Sequence, residues 1–126
     1  MRNNKYYLLN AIKLAYIGDA VFSLFVREYF LLNSEKTNRD LNKLVNSIVC
    51  AKNQARLLED IIDDLTEEEK DIVFRARNAH INNKAKNSTL AEYSQATQYE
   101  ALIGYLYLIK DKKLDKILNK AVEGKI

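Results

Sequence analysis

Asp19 and Glu100 are the two residues of this chain best placed by sequence to do chemistry. Asp19 lies in Leu14-Ala15-Tyr16-Ile17-Gly18-Asp19-Ala20-Val21-Phe22, and Glu100 lies in Tyr99-Glu100-Ala101-Leu102-Ile103-Gly104-Tyr105. In each stretch one acid and one glycine interrupt an apolar helical run. Helix positions three and four apart share a face. Asp19 is therefore expected on the apolar stripe with Ala15, Tyr16, Phe22 and Ser23, and Glu100 beside Ala96, Thr97, Ile103, Gly104 and Tyr107. An ionised carboxylate on such a face is costly unless it is paired or binds a metal. A mid-helix glycine costs roughly 1 kcal/mol relative to alanine, so each glycine signals that something approaches the backbone closely. Two such acids could converge on one divalent cation, and a small set of oxygen ligands with retained waters suits Mg2+ or Mn2+. The competing reading is a pair of buried acids satisfied by Lys, Arg or backbone donors.

The elements that must carry these residues follow from composition. The chain has 126 residues, 48% of them hydrophobic, with no proline and three glycines. That length suits one domain with a single core. Strand-rich folds need turn residues at short intervals, so an all-α, multi-helix bundle over residues 1–126 is expected. A first helical region spans about Lys5 to Leu32, broken near Asn10 to Lys13, with Leu8, Ile12, Tyr16, Phe22, Val26 and Tyr29 as its stripe. Thr37 or Asn38 caps a second helix, and a third runs from Ala51 to about Ile62. Thr66-Glu67-Glu68-Glu69 is a capping-box pattern opening a fourth helix. Helicity fails from Ala79 to Ser88, after which Ser88 or Thr89 caps the helix that carries Glu100. Leu114, Ile117, Leu118, Ala121 and Val122 form a last amphipathic helix.

Other features narrow the function. The single Cys50 excludes an intrachain disulfide and a thiolate zinc site, and is expected to be a small buried residue. The single histidine, His80, rules out a multi-histidine metal phosphohydrolase centre. No apolar run approaches the ~20 residues of a membrane span, and the start is no clean signal peptide, so a cytoplasmic protein is expected. Glu67-Glu68-Glu69-Lys70-Asp71 resembles the acidic motif of helical nucleotide pyrophosphohydrolases, but its place at a helix start favours a solvated first turn. The aromatic residues Tyr99, Tyr105, Tyr107, Phe22, Phe25 and Tyr29 have the spacing of core or interface residues. A net charge of +3 is mild, but its distribution is not: Glu59 to Asp71 holds eight acids and one lysine, while Ile72 to Ala91 holds no acid. Arg75, Arg77, His80, Lys84 and Lys86 fall in that acid-free stretch, which is either a solvated basic loop or a local positive surface.

The motifs resemble those of the ribonuclease III family, whose signature helices carry Leu-Gly-Asp-Ala and Phe-Glu-Ala-Leu-Ile-Gly. The likeness is greater to its small bacterial branch, Mini-ribonuclease III. Leu14 to Ala20, Phe25-Val26-Arg27, Ala51-Lys52-Asn53-Gln54-Ala55 and Arg75-Ala76-Arg77-Asn78-Ala79 match that branch in order and span most of the chain. The resemblance implies a homodimeric endoribonuclease domain that cleaves double-stranded RNA with Mg2+ (Mn2+ as a substitute) and has no separate RNA-binding domain. It implies that Asp19 and Glu100 hold the ion and activate water, and that part of Tyr16 to Tyr29 is buried against a second copy. Lys52, Arg75, Arg77, Asn78, Lys84 and Lys86 are then expected on the RNA, since duplex RNA is read by shape, phosphates and 2′-hydroxyls. The substrate implied is the stem formed by the precursor ends of 23S ribosomal RNA, with a ribosomal protein available to present it. Ribonuclease III proper uses four acids; here two of those positions are Ala15 and Thr97. The small branch shows a similar depletion. Thr97 could act through a water, and Lys52 and Gln54 either line the site or hold a helix junction. The alternative is a catalytically silent duplex-RNA-binding or ribosome-associated protein on the same fold.

Overall fold

The later part of helix α5 (Leu90–Leu108) has no side to give to solvent: from Ala96 to Leu106 every residue except Glu100 is buried. A helix apolar all round must be covered all round. In the computed structural model, which describes residues 5–79 and 89–125, α1 (Ala11–Asn33), α3 (Ala51–Ile61) and α4 (Glu67–Asn78) pack against it. The helix α2 (Asn38–Val49) lies on α1, and α6 (Lys113–Val122) packs on α1 and α5. Among the described residues there are six α-helices, two 3-10 turns at Lys5–Leu8 and Ile62–Asp64, and no strand. The all-α expectation holds.

The helix starts are set by side chains that take the place of missing intrahelical acceptors. Asn10 accepts from the Ile12 N–H at 2.7 Å and begins α1 where the break was expected. Thr37 accepts from Asp40, and Thr66 and Thr89 each form a full capping box, with Glu69 and Glu92 respectively.

Three expectations are corrected. The inward face of α1 is Ala11, Leu14, Ala15, Gly18, Phe22, Val26 and Phe30. Leu8, Ile12 and Tyr16 point outward, Tyr16 at 81% exposure. The core face combines large residues (Leu14, Phe22, Val26 and Phe30) with small ones (Ala11, Ala15 and Gly18), and α5 comes closest at Gly18. Cys50 is exposed: it occupies the extended residue that ends α2 and starts α3, with its Sγ 3.7 Å from the Ser47 carbonyl. The acidic turn at the start of α4 is only partly solvated. Glu69 is buried, receives the Thr66 N–H at 2.9 Å and pairs with Lys113 of α6, while Glu68 accepts from the Tyr105 hydroxyl of α5. These acids tie α4 to its neighbours.

Candidate functional site

The site is made by the crossing of α1 and α5. At Gly18 an added Cβ would lie 1.7 Å from the Glu100 carbonyl oxygen, and at Gly104 it would lie 2.0 Å from the Leu14 carbonyl oxygen. The two backbones touch where each helix lacks a side chain. Edge-to-face contact between Phe22 and Tyr99, with ring centroids 5.2 Å apart, holds the next turn. Because Asp19 follows Gly18, and Glu100 lies one turn before Gly104, this contact brings the two acids together.

Their environments differ. Asp19 is exposed, so its expected place in the middle of an apolar stripe is corrected: it stands at the edge of that stripe, next to solvent. Glu100 is mostly buried. Burial, followed by the charge of Asp19 and a hydrogen bond between the two acids, pushes its carboxyl from the ordinary 4.5 up to about 8, against a downward pull from the Gln54 amide. Among the described residues no cationic side chain enters that balance. Ionising both acids would create a like-charged pair with no counter-charge among the described residues, and a divalent cation is the group that would relieve it.

A third residue completes the surroundings. Gln54, on α3, is 2% exposed; its Nε2 donates to the Val49 carbonyl at 2.7 Å and to Glu100 Oε2 at 3.3 Å. Its Oε1 is buried without a partner. Sequence reasoning noticed the segment around Gln54 but had no means of placing it across from Glu100. Thr97, one turn before Glu100, is buried and donates to the Tyr93 carbonyl at 3.1 Å, which leaves its oxygen able to accept. Among the described residues no group of three or more His, Cys, Asp and Glu is arranged for a metal. Two carboxylates, an unpartnered amide oxygen and solvent on the Asp19 side fit a hard cation that keeps several waters.

The basic residues separate into two sets. Lys52, Arg77 and Asn78 are exposed, at the start of α3 and the end of α4, with Arg77 over the half-exposed Phe74 ring at 5.8 Å. Arg75 is committed elsewhere. Its guanidinium pairs with Asp71 at 3.2 Å, donates to the Tyr7 and Leu9 carbonyls, and stacks 4.8 Å from the Tyr7 ring. Arg75, expected on the RNA, instead anchors the 3-10 turn at Lys5–Leu8 to α4. Lys84, Lys86 and His80 lie outside the described residues. Arg75→Ala is expected to lower stability by about 1–2 kcal/mol through its lost hydrogen bonds, with duplex-RNA affinity unchanged. Arg77→Ala is expected to do the reverse and to flatten the salt dependence of binding. Thermal unfolding and salt-titrated binding separate the two.

Tyr99 and Tyr105 are core residues, 1% and 0% exposed, as their helical spacing suggested, whereas Tyr107 is half exposed. Among the described residues no helix is long and apolar enough to cross a membrane.

Residues 12–111 match the family model described as the ribonuclease III domain. The chain is 40% identical over 124 residues to the Mini-ribonuclease 3 of Staphylococcus aureus, covering 96% of this chain and 92% of that one. It is also 40% identical over 121 residues to the Mini-ribonuclease 3 of Brevibacillus brevis, covering 93% and 90%. A solved crystal structure of a Fusobacterium nucleatum protein superposes with a TM-score of 0.86 at 38% identity, covering 93% of this chain and 94% of that one.

Proposed function

The chain belongs to the ribonuclease III family, and from the meeting of Asp19 and Glu100 at a glycine-to-glycine helix crossing we infer how it works as an endoribonuclease on double-stranded RNA. The observation that carries this reading is Glu100: a mostly buried acid beside a second acid, lifted to about 8 with no cationic side chain among the described residues to balance it. A carboxylate pair of that kind is a poor structural device and a good cation seat.

Asp19 and Glu100 are the two protein ligands of one divalent cation, Mg2+ in the cell and Mn2+ as an assay substitute. When bound, that cation lowers the pKa of a coordinated water and offsets charge developing on the leaving oxygen. Asp19, at the solvent edge, faces the side from which a phosphodiester arrives. Glu100, held from behind by Gln54, fixes the seat relative to the fold. Lys52, Arg77, Asn78, Lys84 and Lys86 neutralise phosphates along the duplex; the support is the exposure of the first three and the acid-free sequence around the last two.

The protein acts as a homodimer. The outward side of α1 supports this: Ile12, Tyr16, Leu24 and Leu31 recur at helical spacing and are exposed, Tyr16 and Leu24 at 81% and 67%. A stripe of this kind on a soluble helix calls for a partner, and a two-fold copy supplies a second site for the opposite RNA strand. Tyr16 lies one turn from Asp19, so the site borders the interface. In keeping with the small bacterial branch, the substrate is the paired stem of 23S ribosomal RNA precursor ends in the cytoplasm, with a ribosomal protein as its presenter.

The test is cleavage of a long, fully paired RNA with Mg2+ and with EDTA. Cutting that requires the ion and disappears in Asp19→Ala, with the variant's helical content and unfolding midpoint intact, is the expected result. Wild-type turnover in Asp19→Ala rejects the site. Duplex binding with no cutting under any metal supports the silent RNA-binding alternative.

A further inference from the structure

Among the described residues, Gln54 is the one buried polar residue that touches the acid pair from a third helix. Its amide orientation is fixed: the Val49 carbonyl can only accept, so Nε2 must face it, at 2.7 Å. The second Nε2 hydrogen goes to Glu100 Oε2 at 3.3 Å. Both donors are then used, and Oε1, on the same carboxamide carbon, is left buried beside the carboxylate with no protein partner. An unsatisfied buried acceptor costs about 1–3 kcal/mol. A glutamine kept only to close the α2–α3 junction needs its amide hydrogens and gains nothing from that stranded oxygen.

The donor that fits is a water polarised by a cation. Mg2+ sheds its waters reluctantly and holds them in near-octahedral order. Two carboxylates leave most positions to such waters, each of which needs acceptors around it. We propose that Gln54 is a positioning residue of the ion site: Nε2 fixes the Glu100 carboxylate, and Oε1 accepts from a water of the cation that Asp19 and Glu100 hold. This rests on the two-carboxylate reading above. Gln54 touches neither RNA nor the reacting atoms in this role; it sets the affinity and orientation of the ion through a ligand and a water. In a family member reduced to two acids, it supplies from α3 part of the oxygen surface that further carboxylates would otherwise give.

The experiment measures Mn2+ binding directly, by loss of the free-ion electron paramagnetic resonance signal, on wild type, Gln54→Leu, Gln54→Glu and Asp19→Ala without RNA. Cleavage is followed in parallel. Gln54→Leu keeps the volume and removes both polar atoms; its Mn2+ dissociation constant is expected to rise about tenfold, the usual scale for a partner of a metal ligand. Its kcat at subsaturating ion should fall by a similar factor with KM for duplex RNA unchanged. Gln54→Glu loses the donors to Val49 and to Glu100 and sets a third carboxylate beside the ion, whose charge should more than offset the lost hold on Glu100. It should melt at a lower temperature than wild type and bind Mn2+ at least as tightly, a combination that requires the side chain at position 54 to face the ion. Unchanged Mn2+ affinity in folded Gln54→Leu overturns the proposal, as does weakened affinity in Gln54→Glu, which decides the matter if the Leu variant fails to fold. Asp19→Ala locates the fault. If it abolishes Mn2+ binding while Gln54→Leu does not change it, only the role of Gln54 is wrong. If Asp19→Ala binds Mn2+ as wild type does, the ion site itself is wrong and the role of Gln54 falls with it.

Discussion

Glu100→Gln is expected to abolish RNA cleavage and to make the metal-free protein more stable. The two effects have one cause. Glu100 is held mostly out of water beside Asp19, and its carboxyl is raised to about 8 by burial first and by Asp19 second. In the native state it therefore keeps a proton that the unfolded chain gives up near 4.5. Between those values the native state binds more protons than the unfolded state, so stability falls as pH rises through the window and levels off above about 8. The favourable contribution is present at pH values below the unfolded pKa and is lost on passing the folded one. Glutamine is a neutral stand-in for the protonated acid and removes that slope. At pH 8 without metal, the variant should exceed wild type by about 3–4 kcal/mol, on the order of 10 °C in Tm for a domain of this size. At pH 5 the two should converge. Mg2+ or Mn2+ should raise the Tm of wild type by mass action and leave the variant unmoved.

The activity loss should be at least about a hundredfold in kcat, since a lost ligand forfeits several kcal/mol of metal-assisted stabilisation and each 1.36 kcal/mol is tenfold. Melting curves across pH with and without ion, beside cleavage of a paired RNA, test both halves. A variant that melts below wild type at pH 8, or whose difference from wild type does not change with pH, would show that Glu100 is a satisfied structural acid. Ion affinity of the wild type should increase with pH up to about 8, because binding must displace the Glu100 proton.

Gly18→Ala and Gly104→Ala should each cost at least about 3 kcal/mol, more than the usual core overpacking. Two terms oppose each other. Alanine improves intrinsic helix propensity by roughly 1 kcal/mol. Against that, the new methyl would sit 1.7 Å from the Glu100 carbonyl oxygen in one variant and 2.0 Å from the Leu14 carbonyl oxygen in the other. Both obstacles are backbone, so no side chain can rotate away. The helices must separate along a contact that includes Leu14, Phe22, Leu102 and Ile103, all fully buried. The steric term wins, and a loss of that size is a large share of the ~5–15 kcal/mol that a domain has in total. Separation also pulls Asp19 from Glu100, so the fraction that stays folded should bind Mn2+ poorly. Urea unfolding gives the stability, and Mn2+ titration at low denaturant gives the second effect. Alanine at either glycine with stability at or above wild type would refute the close crossing.

Several parts of this molecule were legible before any fold was known because they depend on neighbours within one or two helical turns. The absence of proline and the apolar periodicity dictated an all-α chain. Thr66 with Glu69 declared a helix start, since a capping box is closed within four residues. Gly18 and Gly104 announced a close approach, because a helix tolerates glycine at a cost only when something needs the space. The identities of Asp19 and Glu100 as the chemically interesting acids were likewise local: each is a single charge in an apolar run.

What lay beyond the sequence were the facts that depend on which surface meets which. The inward stripe of α1 runs through Ala11, Ala15 and Gly18 as well as Leu14 and Phe22, and hydrophobicity by itself does not mark the small residues as a contact. Tyr16 and Asp19 were therefore placed inward when they face out. Arg75 looked like its neighbour Arg77 until the fold put the Tyr7 and Leu9 carbonyls within its reach, and Glu69 looked solvated until Lys113 was brought against it. Gln54 is the sharpest instance. It lies 46 residues from Glu100 in sequence, and the motif around it leaves open whether it lines the site or holds a helix junction. Sequence alone determined which residues carry charge, cap a helix or leave a gap. Tertiary packing decided which charges meet and which are buried, because desolvation and close contact arise only when segments distant in the chain exclude water from between them.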